Sequence, residues 1–126
     1  AHNPEGIRCI AEHLDRHPLD EGAVLLFGAT RGKSLDVLLE PLAAHCRTAV
    51  IGRPPIERGL DPAEVAATAE NYFDRVEAAP DTAGALSLAE GIAGPGGTIF
   101  VTGSLYLVGE VLGLLERRQV PGPVAM

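Results

Sequence analysis

Four stretches of the chain collect residues able to hold an anion: Ala1 to Pro4, Gly28 to Ser34, Gly52 to Arg58 and Thr102 to Tyr106. They contain His2, Asn3, Arg31, Lys33, Arg53, Arg58 and Ser104. Guanidinium and ammonium groups neutralise a carboxylate or phosphate, and a helix starting nearby adds N–H groups and the positive end of its dipole. Three of the four stretches run into the start of a helical pattern, so binding an anionic ligand is the chemistry this set suits.

Narrower chemistry fits less well. Gly28 to Ser34 reads Gly-Ala-Thr-Arg-Gly-Lys-Ser after an apolar run, one residue short of a P-loop, which needs four residues between its first glycine and Gly-Lys-Ser/Thr. Phe27 stands where that glycine belongs, and no second apolar strand ends in an Asp suited to Mg²⁺. A tight turn with Ser34 as a helix cap accounts for Gly28, Gly32 and Ser34 but leaves Lys33 without a role. Ser104 lacks the second glycine of a nucleophile elbow and reads as a cap or a ligand donor. His13 and His17 have the i, i+4 spacing of two metal ligands, yet no Glu lies between them and no third ligand accompanies them. They read as a solvated face, and His45 as a cap or surface residue. Cys9 and Cys46 read as small buried side chains. No catalytic residue and no metal centre is expected in this chain.

The elements that must position these residues alternate between helix and strand. Asn3 caps a first helix with Pro4 at its first position and Ile7, Ile10, Ala11 and Leu14 on one face; it ends near His17, before Pro18. A buried strand follows from Ala23 to Phe27. The helix after Ser34 carries Leu35, Leu38, Leu39 and Leu42, with a kink expected at Pro41. Thr48 to Ile51 is a second strand, and the Pro-rich stretch Gly52 to Leu60 a long loop. Asp61, Pro62 and Glu64 form a capping-box pattern for a helix reaching about Ala69. Tyr72 to Glu77 reads as a weaker strand. Asp81 caps a helix with Ala85, Leu88, Ala89 and Ile92 inward, stopped by Gly94 and Pro95; Thr98 to Thr102 is the last strand, and the last helix starts around Ser104. Such alternation predicts one α/β domain, a Rossmann-like three-layer fold with a mainly parallel sheet and helices on both faces. All strand-to-helix loops then emerge at one edge, where open α/β sheets bind ligands. A chain that opens on a helix in such a fold lacks the strand that should precede it, so residue 1 is expected to be a cut point.

Composition narrows the partners. Hydrophobic residues make up 46% of the 126 residues and aromatics 4%, so the core must be Leu, Val, Ile and Ala. A formal charge of −7 without any Lys/Arg cluster larger than a pair excludes a nucleic-acid surface. Apolar runs fall far short of the roughly 20 residues a bilayer span needs, and no signal peptide opens the chain. A cytoplasmic protein with no membrane partner is the expectation.

Two motifs at opposite ends of the chain bear a resemblance. Val101-Thr102-Gly103-Ser104-Leu105-Tyr106-Leu107-Val108-Gly109-Glu110 looks like the Val-Thr-Gly-Ser-Leu-Tyr signature of folylpolyglutamate and dihydrofolate synthases, a branch of the Mur ligase family, and Ala1-His2-Asn3-Pro4 resembles the end of their Asp-Gly-Ala-His-Asn-Pro motif. The resemblance covers nearly the whole chain and implies that residues 1–126 are the C-terminal, glutamate-ligase domain, with an N-terminal ATPase domain lying outside this chain. It implies an ATP- and Mg²⁺-dependent ligase that joins L-glutamate to a folate or pteroate through an acyl phosphate. By motif position His2 and Ser104 belong to the glutamate-facing surface, joined by Lys33 and Arg53, while Asn3, Gly103 and Tyr106 support the site. This chain alone is then expected to be inactive and to hold neither ATP nor Mg²⁺ tightly. Two departures stand out: the Asp ahead of Gly-Ala-His-Asn-Pro is not in this sequence, and Gly32-Lys33-Ser34 replaces an Asp-Lys-Asp loop, keeping only the lysine. The rival readings are a non-catalytic flavodoxin-like ligand-binding module and an atypical P-loop phosphotransferase.

Overall fold

A computed structural model of the chain describes residues 3–32 and 34–119. Helices and strands alternate as α1 (Pro4–Arg16), β1 (Val24–Gly28), α2 (Leu35–Ala43), β2 (Thr48–Ile51), α3 (Pro62–Ala69), β3 (Arg75–Ala78), α4 (Thr82–Ala93), β4 (Ile99–Gly103) and α5 (Leu105–Gln119). The sheet runs in the order β3-β2-β1-β4 with every pair parallel. This is the three-layer α/β fold that the alternation predicts.

β1 shows why the strands are apolar without alternation. All five of its residues are buried, because both faces of the sheet are covered. Leu25, Phe27, Ala49 and Ile51 turn to the layer of α1, α2 and α3, where Ile7, Leu38, Leu39, Leu42 and Val65 meet them. Val24, Leu26 and Val50 turn to α4 and α5, against Ala85, Leu86, Ala89 and Val111. Each fully buried Leu in these two cores contributes on the order of 2 kcal/mol.

Side chains set three of the helix starts. Asn3 Oδ1 accepts from the Gly6 N–H at 2.7 Å, Asp61 Oδ1 from Ala63 at 3.0 Å and Asp81 Oδ1 from Gly84 at 2.7 Å. Two expected caps differ in detail. Ser34 stands at the N-cap of α2 but its side chain makes no cap bond, and only its carbonyl is engaged, by the Leu38 N–H at 3.3 Å. Glu64 N–H donates to the backbone carbonyl of Asp61, so the Asp61 carboxylate serves the neighbouring Ala63 instead. Pro41 lies inside α2, which continues to Ala43.

Three further expectations are corrected. The third strand starts at Arg75, not Tyr72, because the N–H groups of Tyr72 and Phe73 close the end of α3 on the Ala69 carbonyl at 2.9 and 3.0 Å. Cys46 is buried, which pushes its thiol up to about 11, but Cys9 is exposed, since Ile7 and Leu14 take the inward face of α1. His45 is no surface residue: its side chain is 10% exposed and its Nε2 lies 3.4 Å from Asp15, tying α2 to α1. His13 and His17 stack with ring centroids 4.5 Å apart.

The connections explain where the site lies. From β1 through α2 to β2, and through α3 to β3, the chain steps outward in one direction; α4 then carries it back across the sheet to the far side of β1. Right-handed crossovers put α2 and α3 on one face and α4 on the other. The loops after β1 and β4 therefore leave toward opposite faces, and the crevice between them is the switch point of the sheet.

Candidate functional site

Three glycines let the strand ends crowd together at this switch point. Gly28 and Gly103 are register partners at the ends of β1 and β4, and Gly52 follows β2. The Ser104 N–H donates to the Gly28 carbonyl at 2.9 Å, and the Gly52 N–H to the Phe27 carbonyl at 2.9 Å. A Cβ on Gly103, whose φ is +108°, would lie 2.3 Å from the Gly28 carbonyl oxygen, and one on Gly28 would lie 2.8 Å from that of Gly52. No side chain fits at Gly28 or Gly103 without moving the backbone, so the crevice floor is main chain.

The loops after β1 and β2 are fastened to each other. The Arg31 N–H donates to the Arg58 carbonyl at 2.8 Å, the Leu60 N–H to the Ala29 carbonyl at 2.9 Å, and Thr30 bridges Gly59 in antiparallel fashion. The second loop is also held from the other face, where the Thr82 hydroxyl donates to the Arg53 carbonyl at 3.1 Å. A P-loop turns its N–H groups toward phosphate; here the Arg31 N–H is already committed. That N–H is therefore not free to face a phosphate.

Ser104 is buried at the start of α5, and its Oγ accepts from the Tyr106 N–H at 3.1 Å, an N-cap. Tyr106 itself is exposed, as is Leu105 beside it. Asn3 caps α1, which begins at the same edge of the sheet, since α1 must end where Pro18 to Ala23 lead into the start of β1. Arg53 is exposed on the β2 side, lining an open cleft of about 370 Å³ with Pro54, Ile56, Glu57, Pro80 and Asp81. β1 stands between Arg53 and Ser104, so their backbones are separated by two strand spacings, roughly 10 Å. Arg31 and Arg58 are exposed and start from hydrogen-bonded backbone. His2 and Lys33 lie outside the described residues. Sequence reasoning passed over Gly52 and Thr82; a glycine directly after an apolar strand was the available signal for the first, while nothing local marks Thr82 as the anchor of a distant loop.

The described residues at this edge suit an anionic group. Exposed arginines and helix N-termini can receive a carboxylate or phosphate. Among the described residues no three His, Cys, Asp or Glu side chains converge as a metal would need, and the one P-loop-like segment spends the Arg31 N–H internally.

Known proteins share this architecture. The profile of the family described as "Mur ligase, glutamate ligase domain" matches residues 1–105. No curated protein matches the chain. Among solved structures, Mycobacterium tuberculosis folylpolyglutamate synthase complexed with ADP and AMPPCP is 26% identical with a TM-score of 0.80, covering 90% of this chain and 28% of that one. Folylpolyglutamate synthase from Thermotoga maritima is 26% identical with a TM-score of 0.76, covering 99% of this chain and 27% of its own. E. coli FolC in complex with DHPP and ADP shares the fold at 19% identity, with a TM-score of 0.82 over 94% of this chain and 28% of that one. The chain thus spans about 28% of the length of the solved relatives it matches. With a glycine-floored switch point, a parallel sheet covered on both faces and a family match over residues 1–105, the chain belongs to the Mur ligase family as a glutamate ligase domain.

Proposed function

We propose that this chain is the glutamate-binding part of an ATP-dependent ligase that adds L-glutamate to a folate, a dihydropteroate or their polyglutamates, and that it closes over a nucleotide held by a separate ATPase domain. The observation behind the reading is the switch point itself: Gly28, Gly52 and Gly103 draw three strand ends together and leave Arg53 and the start of α5 facing one edge. The overall reaction joins the amino group of L-glutamate to a carboxylate activated as an acyl phosphate, and phosphate leaves as the C–N bond forms. M. tuberculosis folylpolyglutamate synthase, 26% identical to this chain, has been solved with ADP and AMPPCP, which supports a nucleotide partner for the assembled enzyme.

The chain's own residues bind and orient. The Arg53 guanidinium pairs with a carboxylate of glutamate, and the N-terminus of α5, shaped by Ser104, receives negative charge. His2 and Lys33 join them by motif position; Asn3, Gly103 and Tyr106 hold the turns. Catalytic charge stabilisation around the phosphoryl group is assigned to the ATPase domain, as the family resemblance implies.

The test uses the full-length ligase. Losing a charge-assisted contact costs about 1.5–3 kcal/mol, so Arg53→Ala is expected to raise KM for L-glutamate by about 10- to 100-fold while KM for ATP stays within about twofold. Ser104→Ala shifts glutamate kinetics in the same direction. Unchanged glutamate kinetics in both variants would remove the site, and ATP turnover by residues 1–126 alone would replace the half-ligase with an atypical phosphotransferase.

A further inference from the structure

We propose that Arg31 and Arg58 form a clamp that reads the side-chain carboxylate of the amino-acid substrate and so makes the site choose glutamate over glutamine. The inference rests on the ligase reading and deepens it. Arg31 lies in the loop after β1 and Arg58 in the loop after β2. The Arg31 N–H donates to the Arg58 carbonyl at 2.8 Å and the Leu60 N–H to the Ala29 carbonyl at 2.9 Å, on either side of the antiparallel bridge between Thr30 and Gly59. Bonds so placed make Arg31 and Arg58 direct partners across the bridge, with Cβ atoms about 5 Å apart.

Like charges set directly opposite each other cost stability. Nothing offsets that cost here: among the described residues no carboxylate forms an ion pair with either guanidinium, in a chain whose acids outnumber its Lys and Arg by 17 to 10. Both side chains are exposed. A third arginine leans on the same turn. A Cβ on Gly59 would lie 2.5 Å from the Pro54 carbonyl oxygen and 3.3 Å from Arg53 Cγ, so the Arg53 stem runs beside Gly59, the neighbour of Arg58. Arg53 also forms no ion pair among the described residues, although Glu57 lines the same cleft. A local arrangement that opposes stability without compensation is the signature of a binding site.

The ligand that suits such a group carries two carboxylates, because each guanidinium offers a rigid fork of donors that matches one. With Arg53 on one carboxylate of glutamate, Arg31 and Arg58 are left for the other. The bridge joins their two loops into one piece, so the pair is set before the ligand arrives and little ordering is needed on binding. Glutamine has the same length, but its side chain ends in a neutral amide. The amide NH₂ would face guanidinium donors, leaving donor against donor and the positive charge unpaired. Glutamine is thus rejected by the chemistry of the clamp and not by size.

The test uses the full-length ligase, with KM for L-glutamate, KM for ATP and the inhibition constant of L-glutamine measured for the parent, Arg31→Gln and Arg58→Gln. The expected result is a rise of about tenfold in KM for glutamate, with the glutamine constant and KM for ATP each within about twofold, because only the partner of the second carboxylate is lost. Thermal unfolding of both variants is expected at the parent Tm or above it, since a repulsion has been removed. Equal changes for glutamate and glutamine, no change for either, or a Tm that falls overturns the proposal. So does a rise in KM for ATP alone, which assigns the clamp to a phosphate. A parent enzyme that forms no glutamyl amide refutes the ligase reading and the clamp with it, whereas an active parent whose variants keep its preference refutes the clamp alone.

Discussion

Replacing Gly103 by alanine tests the glycine-floored crevice directly. At φ +108° an L residue is strained by about 1–2 kcal/mol, and the new Cβ would stand 2.3 Å from the Gly28 carbonyl oxygen and 3.1 Å from the Phe27 ring. Neither neighbour can retreat, since one is paired backbone and the other is fully buried. Relief must come from pushing β4 off β1, which weakens the bond from Ser104 N–H to the Gly28 carbonyl for about 1 kcal/mol more. The sum is about 2–3 kcal/mol, or about 8–12 °C in Tm at about 4 °C per kcal/mol for a domain of this size. Gly109→Ala is the control with the opposite sign: it lies within α5, nothing approaches its Cβ position within 4 Å, and alanine there is expected to stabilise by about 1 kcal/mol. Urea and thermal unfolding of both variants give the comparison. A Gly103→Ala domain within about 0.5 kcal/mol of the parent would refute the claim that close approach, rather than chance, put glycine at the end of β4.

Other outcomes follow from single contacts. Asp81→Ala removes the cap on Gly84 and is expected to cost about 1 kcal/mol in urea unfolding, with Asp81→Asn keeping most of it. Leu39→Ala, at a fully buried position between α2 and the sheet, should cost about 3 kcal/mol. The Tyr72 hydroxyl donates to Asp36 at 2.5 Å, and that bond, with burial and the charges of Asp36 and Glu40, pushes the phenol from 10.0 up to about 12. The fold keeps this proton while the unfolded chain releases it, so the stabilisation is full below pH 10 and lost as pH rises through 12. Tyr72→Phe should flatten that alkaline limb in a pH series of unfolding free energies.

Elements whose signals are local were legible in the sequence. Asn3, Asp61 and Asp81 announced helix starts because an Asx side chain serves an N–H two or three residues on, and Gly94 with Pro95 announced a stop for similar reasons. Tyr72 and Phe73 misled because their types favour strand while their N–H groups are claimed by the carbonyl of Ala69. The exposure of Cys9 could have been foreseen, since it sits two residues from Ile7 and so off the inward face of α1. The gathering of Ser104 and Arg53 at one edge follows from parallel strands alone. The packing of Gly28 against Gly52 and Gly103 does not, because carbonyl distances between strands appear only once neighbours in the sheet are known, and alternation does not say that β4 returns to β1.

That return has a kinetic consequence. Val24 pairs with Thr48 on one side and with Ile99 on the other, and the second partner is about three times as far along the chain. Closing the longer loop costs about 1 kcal/mol more in chain entropy by the logarithmic rule. The half built from α2, β2, α3 and β3 around β1 can therefore assemble from neighbours, whereas β4 must be captured across the whole intervening chain. Mutations in β2 should slow folding, and mutations in β4 should chiefly hasten unfolding. The crevice between Gly28 and Gly103 is then the seam that closes last when the domain folds and the first to part when it comes undone.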